Sequence, residues 1–300
     1  PWNDSYYDES MTVQKAVQLY LGERSSEWAE STYETTEAVL RTFYEGLPVG
    51  YPVYGVQASD VTEYIEERDL ALATKQTHQA RLRTFFKWCV EQRLLKDNPV
   101  PDNGNGKVAR SSSVPKFLRE GQYQRLIEYI EKDAVAKNLS HGNRWLLDAI
   151  EFALGTGLRR GELCALRWAA IDLEFGMITV QATKDFSPKS GRERRVPLVG
   201  RARKVVERLR ADGAVDGELV FRGATGGPMG ENYLSQRFRF YRRQAGIPEG
   251  ISFHSLRHTF ASWFVQRGGD LYRLKEIMGH ADIKTTLKYA SLSPDALVCE

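Results

Sequence analysis

Three hundred residues, of which 42% are hydrophobic and 27% charged, describe a soluble globular chain long enough for two domains, each burying its own core. No apolar run nears the ~20 residues of a bilayer span, and residues 1–11 are acidic and aromatic rather than signal-like, so the expected location is cytoplasmic with no membrane partner. The net charge of +3 is uneven, with 10 Lys and Arg against 16 Asp and Glu in residues 1–100 and 32 against 23 thereafter; the later part suits either a polyanion or an ordinary charged surface.

The opening, Asp4 to Glu9, reads as an acidic mobile tail within residues 1–11, and residues 12–98 read as a small helical domain. Val13, Val17 and Leu21 share one face of a helix over Thr12–Leu21, and Ser31–Phe43 continues in that manner. Asp60-Val61-Thr62-Glu63 has the form of a capping box opening a short helix. Thr74–Leu94 is a longer helix whose apolar face carries Leu82, Phe85, Phe86 and Cys89, and Asp97-Asn98-Pro99 ends it. Between Leu70 and Lys96 six bases face a single acid. Arg81, Arg83, Lys87 and Arg93 on this stretch suit either a phosphate backbone or a solvated face.

Residues 99–116 string together Pro, Gly, Asn and Ser and read as a linker before a second domain over 117–300. That domain is predicted to be mainly helical with a small β-sheet. Helical spacing covers Arg119–Glu131, Asn143–Leu154, Ala202–Leu209, Tyr233–Gln244, His254–Gln266 and Leu271–Met278, and Arg159 with Glu162 opens a helix continuing through Leu163, Leu166 and Trp168. Met177–Val180 and Arg195–Leu198 read as strands about a Ser/Pro/Lys/Gly turn, and Asp282 is an N-cap for a last helix carrying Ile283, Leu287 and Tyr289. The three cysteines, Cys89, Cys164 and Cys299, form no CxxC, so neither a disulfide framework nor a zinc ribbon is indicated.

Certain residues carry the means for exchanging a phosphodiester. Such exchange without a metal needs a nucleophile, cations to neutralise charge on the phosphoryl oxygens, and an acid for the leaving oxygen. Arg159 and Arg257 supply planar forks that fit two phosphate oxygens. His254 and Arg257 share a helix face, His280 follows Gly279 in a turn, and Tyr289 offers a phenol beside Lys284 and Lys288. Each also has a bland reading: a surface pair, a loop histidine, an amphipathic core tyrosine. His254 and His258 stand at the i,i+4 spacing of zinc-binding helices, but the Glu of HExxH is missing and no third ligand cluster is evident, so neither metal nor cofactor is expected.

TGLRRGELCALRW (156–168) with Ile171-Asp172, PKSGRERRVPL (188–198), HSLRHTFASW (254–263) and MGHADIKTTLKYASL (278–292) together resemble, in order and spacing, the tyrosine recombinase (phage integrase) family over Phe117–Leu292. The resemblance implies a helical core-site DNA-binding domain followed by a mixed α/β catalytic domain, the two closing on DNA as a C-shaped clamp. It implies Tyr289 as nucleophile in a 3′-phosphotyrosyl link, Arg159 and Arg257 as the phosphate clamp supported by Glu162, and His280 as a hydrogen-bond donor to the phosphate. His254 acts in proton transfer and Lys189 as general acid, with Lys184 in the same hairpin as the other candidate. It further implies double-stranded recombination sites as partners, a homotetramer on synapsed DNA, a Holliday junction, and no need for metal or ATP. A silent DNA-binding regulator on this fold, a type IB topoisomerase and a metal-dependent nuclease are the competing expectations.

Overall fold

The computed structural model describes residues 10–101, 114–136, 144–182, 193–213, 218–223 and 226–294. Residues 1–110 and 111–300 make two compact units.

The first unit consists of α1 (Val13–Arg24), α2 (Glu30–Tyr44), α3 (Ala58–Glu66) and α4 (Leu72–Glu91). Thr12 caps α1, its hydroxyl accepting the Lys15 N–H at 3.2 Å. The apolar face of α4 is buried as its spacing requires, with Leu82, Phe85, Phe86 and Cys89 joined by Trp88. Aromatic edges organise this core: Tyr20 stands against Phe85 at 5.5 Å and 65°, and Phe43 against Phe86 at 5.7 Å and 86°.

Sequence boundaries shift at three places in this unit. Asp60 sits inside α3 rather than at its cap, and its carboxylate accepts the Gln57 N–H at 2.8 Å. The α4 helix stops at Glu91, ahead of the proline, because Arg93 turns left-handed (φ 61°) and the Leu94 N–H reaches back to the Cys89 carbonyl at 2.8 Å. Val100, read as linker, is buried in this core, and Pro101 accepts hydrogen bonds from Gln79 and Arg83.

The second unit contains α5 (Glu120–Ala136), α6 (Arg144–Thr156), α7 (Arg160–Cys164), β1 (Ile171–Asp172), β2 (Met177–Val180), β3 (Arg194–Pro197), α8 (Gly200–Ala211), α9 (Glu231–Gln244), α10 (Ser255–Gln266), α11 (Leu271–Met278) and α12 (Lys284–Leu287). The strands form one antiparallel sheet in the order β1-β2-β3, with Ile178 opposite Val196. Helix α6 is apolar on nearly every side, burying Leu146, Ala149, Ile150, Phe152 and Ala153, because α8 and α10 both pack on it. Thr259 ties the start of the unit to α10, accepting the Leu118 N–H at 2.9 Å.

Three expectations are corrected in this unit. Helix α7 ends at Cys164, and the extended backbone of Arg167 leads into a short 3-10 turn at Trp168–Ala170 instead of a continued helix. Strand β3 begins one residue earlier than the pattern suggested, which turns Arg194 inward with Val196 and leaves Arg195 outside. Asp282 accepts the Lys284 N–H at 2.9 Å, but the N-cap is Ile283 and α12 ends before Tyr289. Lys184 and Lys189 lie outside the described residues.

Candidate active site

Arg159 is the N-cap residue of α7, and Glu162 sits three residues later in the first turn of that helix. The Glu162 carboxylate is buried and accepts from both ends of Arg159: the backbone N–H at 2.7 Å and Nη1 at 2.9 Å. Arg194, also buried, meets the same carboxylate as a fork, Nη1 to Oε1 at 2.9 Å and Nη2 to Oε2 at 2.5 Å. Burial pushes the Glu162 carboxyl up, but the bonds to Arg194 and Arg159 outweigh it and hold the group below the ordinary carboxylate range.

The C-terminal end of α11 is where these segments meet. Its last carbonyls lack intrahelical partners, and three in succession accept from three different arginines. Ile277 O takes Arg194 Nε at 2.9 Å, Met278 O takes Arg257 Nη2, and Gly279 O takes Arg159 Nη2 at 3.2 Å. Arg257 also donates through Nη1 to Gly157 O at 2.7 Å, which ties α10 to the loop before Arg159. Gly279 adopts φ 63°, and a Cβ there would stand 2.8 Å from Arg194 Cδ, so only glycine ends the helix in this place.

One buried carboxylate against three guanidinium groups leaves this corner strongly electropositive. Arg257 registers it most: desolvation, then Arg159 and Arg194, bring its pKa down to about 9, which still leaves it cationic at neutral pH. Desolvation together with Arg257, Lys288 and Arg159 lowers His280 to about 3, so its imidazole is neutral at pH 7. Its Nδ1 lies 2.9 Å from the Thr286 hydroxyl, which fixes the ring. Such a place gains most from an anion that restores charge balance.

Tyr289 is fully buried. Its hydroxyl lies 2.6 Å from His258 Nδ1, while Lys288 Nζ stands 5.2 Å from the ring centroid. Desolvation raises the phenol above its ordinary pKa and lowers His258 to about 4, so a protonated tyrosine faces a neutral imidazole at pH 7. His254, at the exposed start of α10, stacks edge-on to His258 with centroids 5.1 Å apart.

The structure thus brings Arg159, Glu162, Arg257 and His280 to the end of α11, and His254 to the His258–Tyr289 pair. Arg81, Arg83, Lys87 and Arg93 lie in the first unit; Arg83 is engaged by Pro101 and Lys87 pairs loosely with Glu91 at 3.7 Å. Sequence reasoning missed Arg194, Thr286 and the role of His258. A signal for His258 existed: its i,i+4 spacing from His254 puts both imidazoles on one helix face, although the partner is a phenol and not a metal. Nothing local marked Arg194, because its partners come from two other segments.

The sequence profile of the phage integrase family matches residues 116–295. Among curated relatives, the tyrosine recombinase XerC of Xanthomonas axonopodis pv. citri (strain 306) is 30% identical over 226 residues, covering 75% of this chain and 69% of its own. XerC of Xylella fastidiosa (strain 9a5c) is also 30% identical over 226 residues, covering 75% of this chain and 72% of its own. Two solved structures share the fold. The Tn1549 transposon integrase in complex with transposon right end DNA superimposes with a TM-score of 0.77 at 23% identity, over 96% of this chain and 97% of that one. A lambda integrase tetramer bound to a Holliday junction gives 0.73 at 19% identity, over 92% and 79%.

Proposed function

Because the chain belongs to the phage integrase family, the tyrosine-type site-specific recombinases, we propose that it cuts and rejoins double-stranded DNA through a 3′-phosphotyrosyl intermediate and a Holliday junction, without ATP. Arg159 and Arg257 bind the scissile phosphate and stabilise the charge that develops in the transition state. His280 hydrogen-bonds a phosphoryl oxygen, Tyr289 attacks phosphorus, and His254 exchanges the tyrosine proton. Lys189, outside the described residues, protonates the leaving 5′-oxygen. The 5′-hydroxyl of a second strand then attacks the phosphotyrosyl bond and releases the phenol, so the bond energy is kept. The basic stretch of α4 contacts the DNA backbone, and the working assembly is a homotetramer on two sites.

One observation carries this reading. Two guanidinium groups far apart in sequence are anchored on adjacent carbonyls, Met278 and Gly279, directly ahead of His280. A helix end that needs donors serves to aim two cations in one place. Tyr289, fully buried on His258, describes a resting arrangement, and attack on DNA requires its segment to move outward.

The test is a pool of nicked duplexes with randomised flanks, built so that cleavage loses the short oligonucleotide and traps the adduct. Wild type should capture a sequence subset as a denaturant-resistant protein–DNA species, and Tyr289→Phe none. Capture by the Phe variant would remove Tyr289 as the nucleophile. Binding without any capture would favour the silent regulator, and plasmid relaxation without strand exchange the topoisomerase.

A further inference from the structure

Arg194 lies outside the set of residues just given chemical roles, yet it shares their supports. Its three contacts run to both oxygens of Glu162 and to the Ile277 carbonyl. Each Glu162 oxygen is also an acceptor for Arg159, Oε1 from Nη1 and Oε2 from the backbone N–H. The carboxylate is therefore shared between two arginines of unequal freedom. Arg194 is buried, with a side-chain exposure of 7%, while Arg159 retains 21%.

We propose that Arg194 is a positioning residue for the phosphate clamp: it saturates Glu162 so that the Arg159 guanidinium gives that carboxylate Nη1 alone, and the N–H groups not given to Glu162 or Gly279 O are left for an anion. A guanidinium has five N–H groups in a planar fork. In this arrangement Arg159 gives Nη1 to Glu162 and Nη2 to Gly279 O. Without Arg194, Glu162 becomes a buried charge with a single cationic neighbour in bonding contact, and that neighbour is drawn into a full fork. Such a pull would close Arg159 onto Glu162 and away from the phosphate. The bond from Arg194 to Ile277 O adds a second function, since it fixes the helix end on which Arg159, Arg257 and His280 are all aimed.

The inference rests on the recombinase reading for its consequence but not for its first measurement. Orthovanadate at pH 8, a small tetrahedral anion, should bind the wild-type protein and lose about tenfold in affinity in Arg194→Met, the change expected when one of two cations is turned away. Unchanged vanadate affinity would overturn the proposal, whether or not the chain cleaves DNA. Arg194→Lys keeps a charge that cannot fork and should fall between, so a folding defect in the Met variant leaves the comparison intact.

On duplexes captured by the wild type, Arg194→Met should slow covalent adduct formation about 10²-fold, the scale of a misplaced catalytic group, with DNA affinity nearly unchanged. Replacing the scissile phosphate by a methylphosphonate removes the charge the clamp neutralises, and the deficit should shrink to less than about tenfold. Glu162→Gln combined with Arg194→Met should be no worse than the poorer single variant, because both act through one carboxylate. An equal deficit on both linkages, or additive losses, would make Arg194 a structural ion pair only. A wild type that captures no duplex would instead remove the recombinase reading and leave the vanadate result standing.

Discussion

The hydroxyl of Tyr289 lies 2.6 Å from Nδ1 of His258, and the phenol ring is buried among Ala261 and Val265 of α10, the helix that carries Arg257, and Leu274 and Met278 of α11. The pair is a neutral acceptor and a protonated donor, with the donor side chain fully buried. His258→Leu leaves that hydroxyl buried without its partner and should reduce unfolding stability by about 1–3 kcal/mol. Tyr289→Phe in the same background should then cost less than it does alone, with a coupling of about 0.5–3 kcal/mol. Urea unfolding of the four proteins measures it, and strictly additive losses would deny the bond.

Gly157 tests the loop that leads to Arg159. Its φ is 65°, and a Cβ there would fall 2.4 Å from Phe260 Cδ1. Gly157→Ala should lose more than about 1–2 kcal/mol, the left-handed penalty alone being of that size, and cleavage should fall with it because the Gly157 carbonyl holds Arg257. In a Phe260→Ala background the steric part disappears and the backbone part remains. Thermal unfolding of the double variant separates them, and an equal loss in both backgrounds would place the whole effect in the backbone.

Sequence periodicity gave the helices to within a few residues, since α1 and α4 bury the residues whose spacing called for burial, Val13, Val17 and Leu21 on one and Leu82, Phe85, Phe86 and Cys89 on the other. Arg159, Arg257, His280 and Tyr289 were legible because each lies in a run whose order is distinctive. What could not be read were contacts between runs. Arg194 acquires its meaning from Glu162, which precedes it by many residues, and from the carbonyl of Ile277 on a third element. The burial of Tyr289 was equally hidden, because α12 stops short of it and its hydroxyl finds a partner on α10. The end of α4 moved for a local reason that propensity disfavours, an arginine in the left-handed region.

Acid should weaken the fold through the half-buried imidazoles of His258 and His280. His258 is lowered to about 4 and His280 to about 3, both by desolvation first and neighbouring cations second. An unfolded histidine titrates near 6.5, so as pH drops below that value the unfolded chain takes up protons that the folded one refuses. Their contribution is therefore full above pH ~6.5 and is lost as pH falls toward about 4 for His258 and about 3 for His280. Urea midpoints at pH 7.5 and 5 measure the fall, and His280→Gln should reduce the slope. Sulfate bound at the arginines raises the His280 pKa, so its affinity should rise as pH falls from 7.5 to 5. An Arg159→Ala control removes the nonspecific salt effect, and sulfate affinity independent of pH would separate His280 from the anion.

Arg257 stands apart from the other cations because both its amino groups are spent on backbone, Gly157 O and Met278 O. On the proposed mechanism it would meet the phosphate with a fixed orientation, which favours interactions gained at the transition state over those gained on binding. Arg257→Ala should lower adduct formation about 10²–10³-fold while DNA affinity changes little. Matching losses in the two measurements would assign Arg257 to binding alone.

The first unit should act differently, through counterion release. Arg81 and Lys87 lie on α4, Lys87 exposed and Arg81 half-buried near Tyr20, while Arg83 already donates to the Pro101 carbonyl. Arg81→Gln or Lys87→Gln should weaken binding similarly for all sequences and reduce the slope of log K against log salt by about 1 each. Arg83→Gln should instead lower the stability of the first unit, because a buried segment around Val100 loses its donor. Gel-shift titrations between low and moderate salt distinguish the two behaviours. An unchanged slope for Arg81→Gln and Lys87→Gln would place the DNA on another face of this unit, since a cation that releases no counterion makes no phosphate contact.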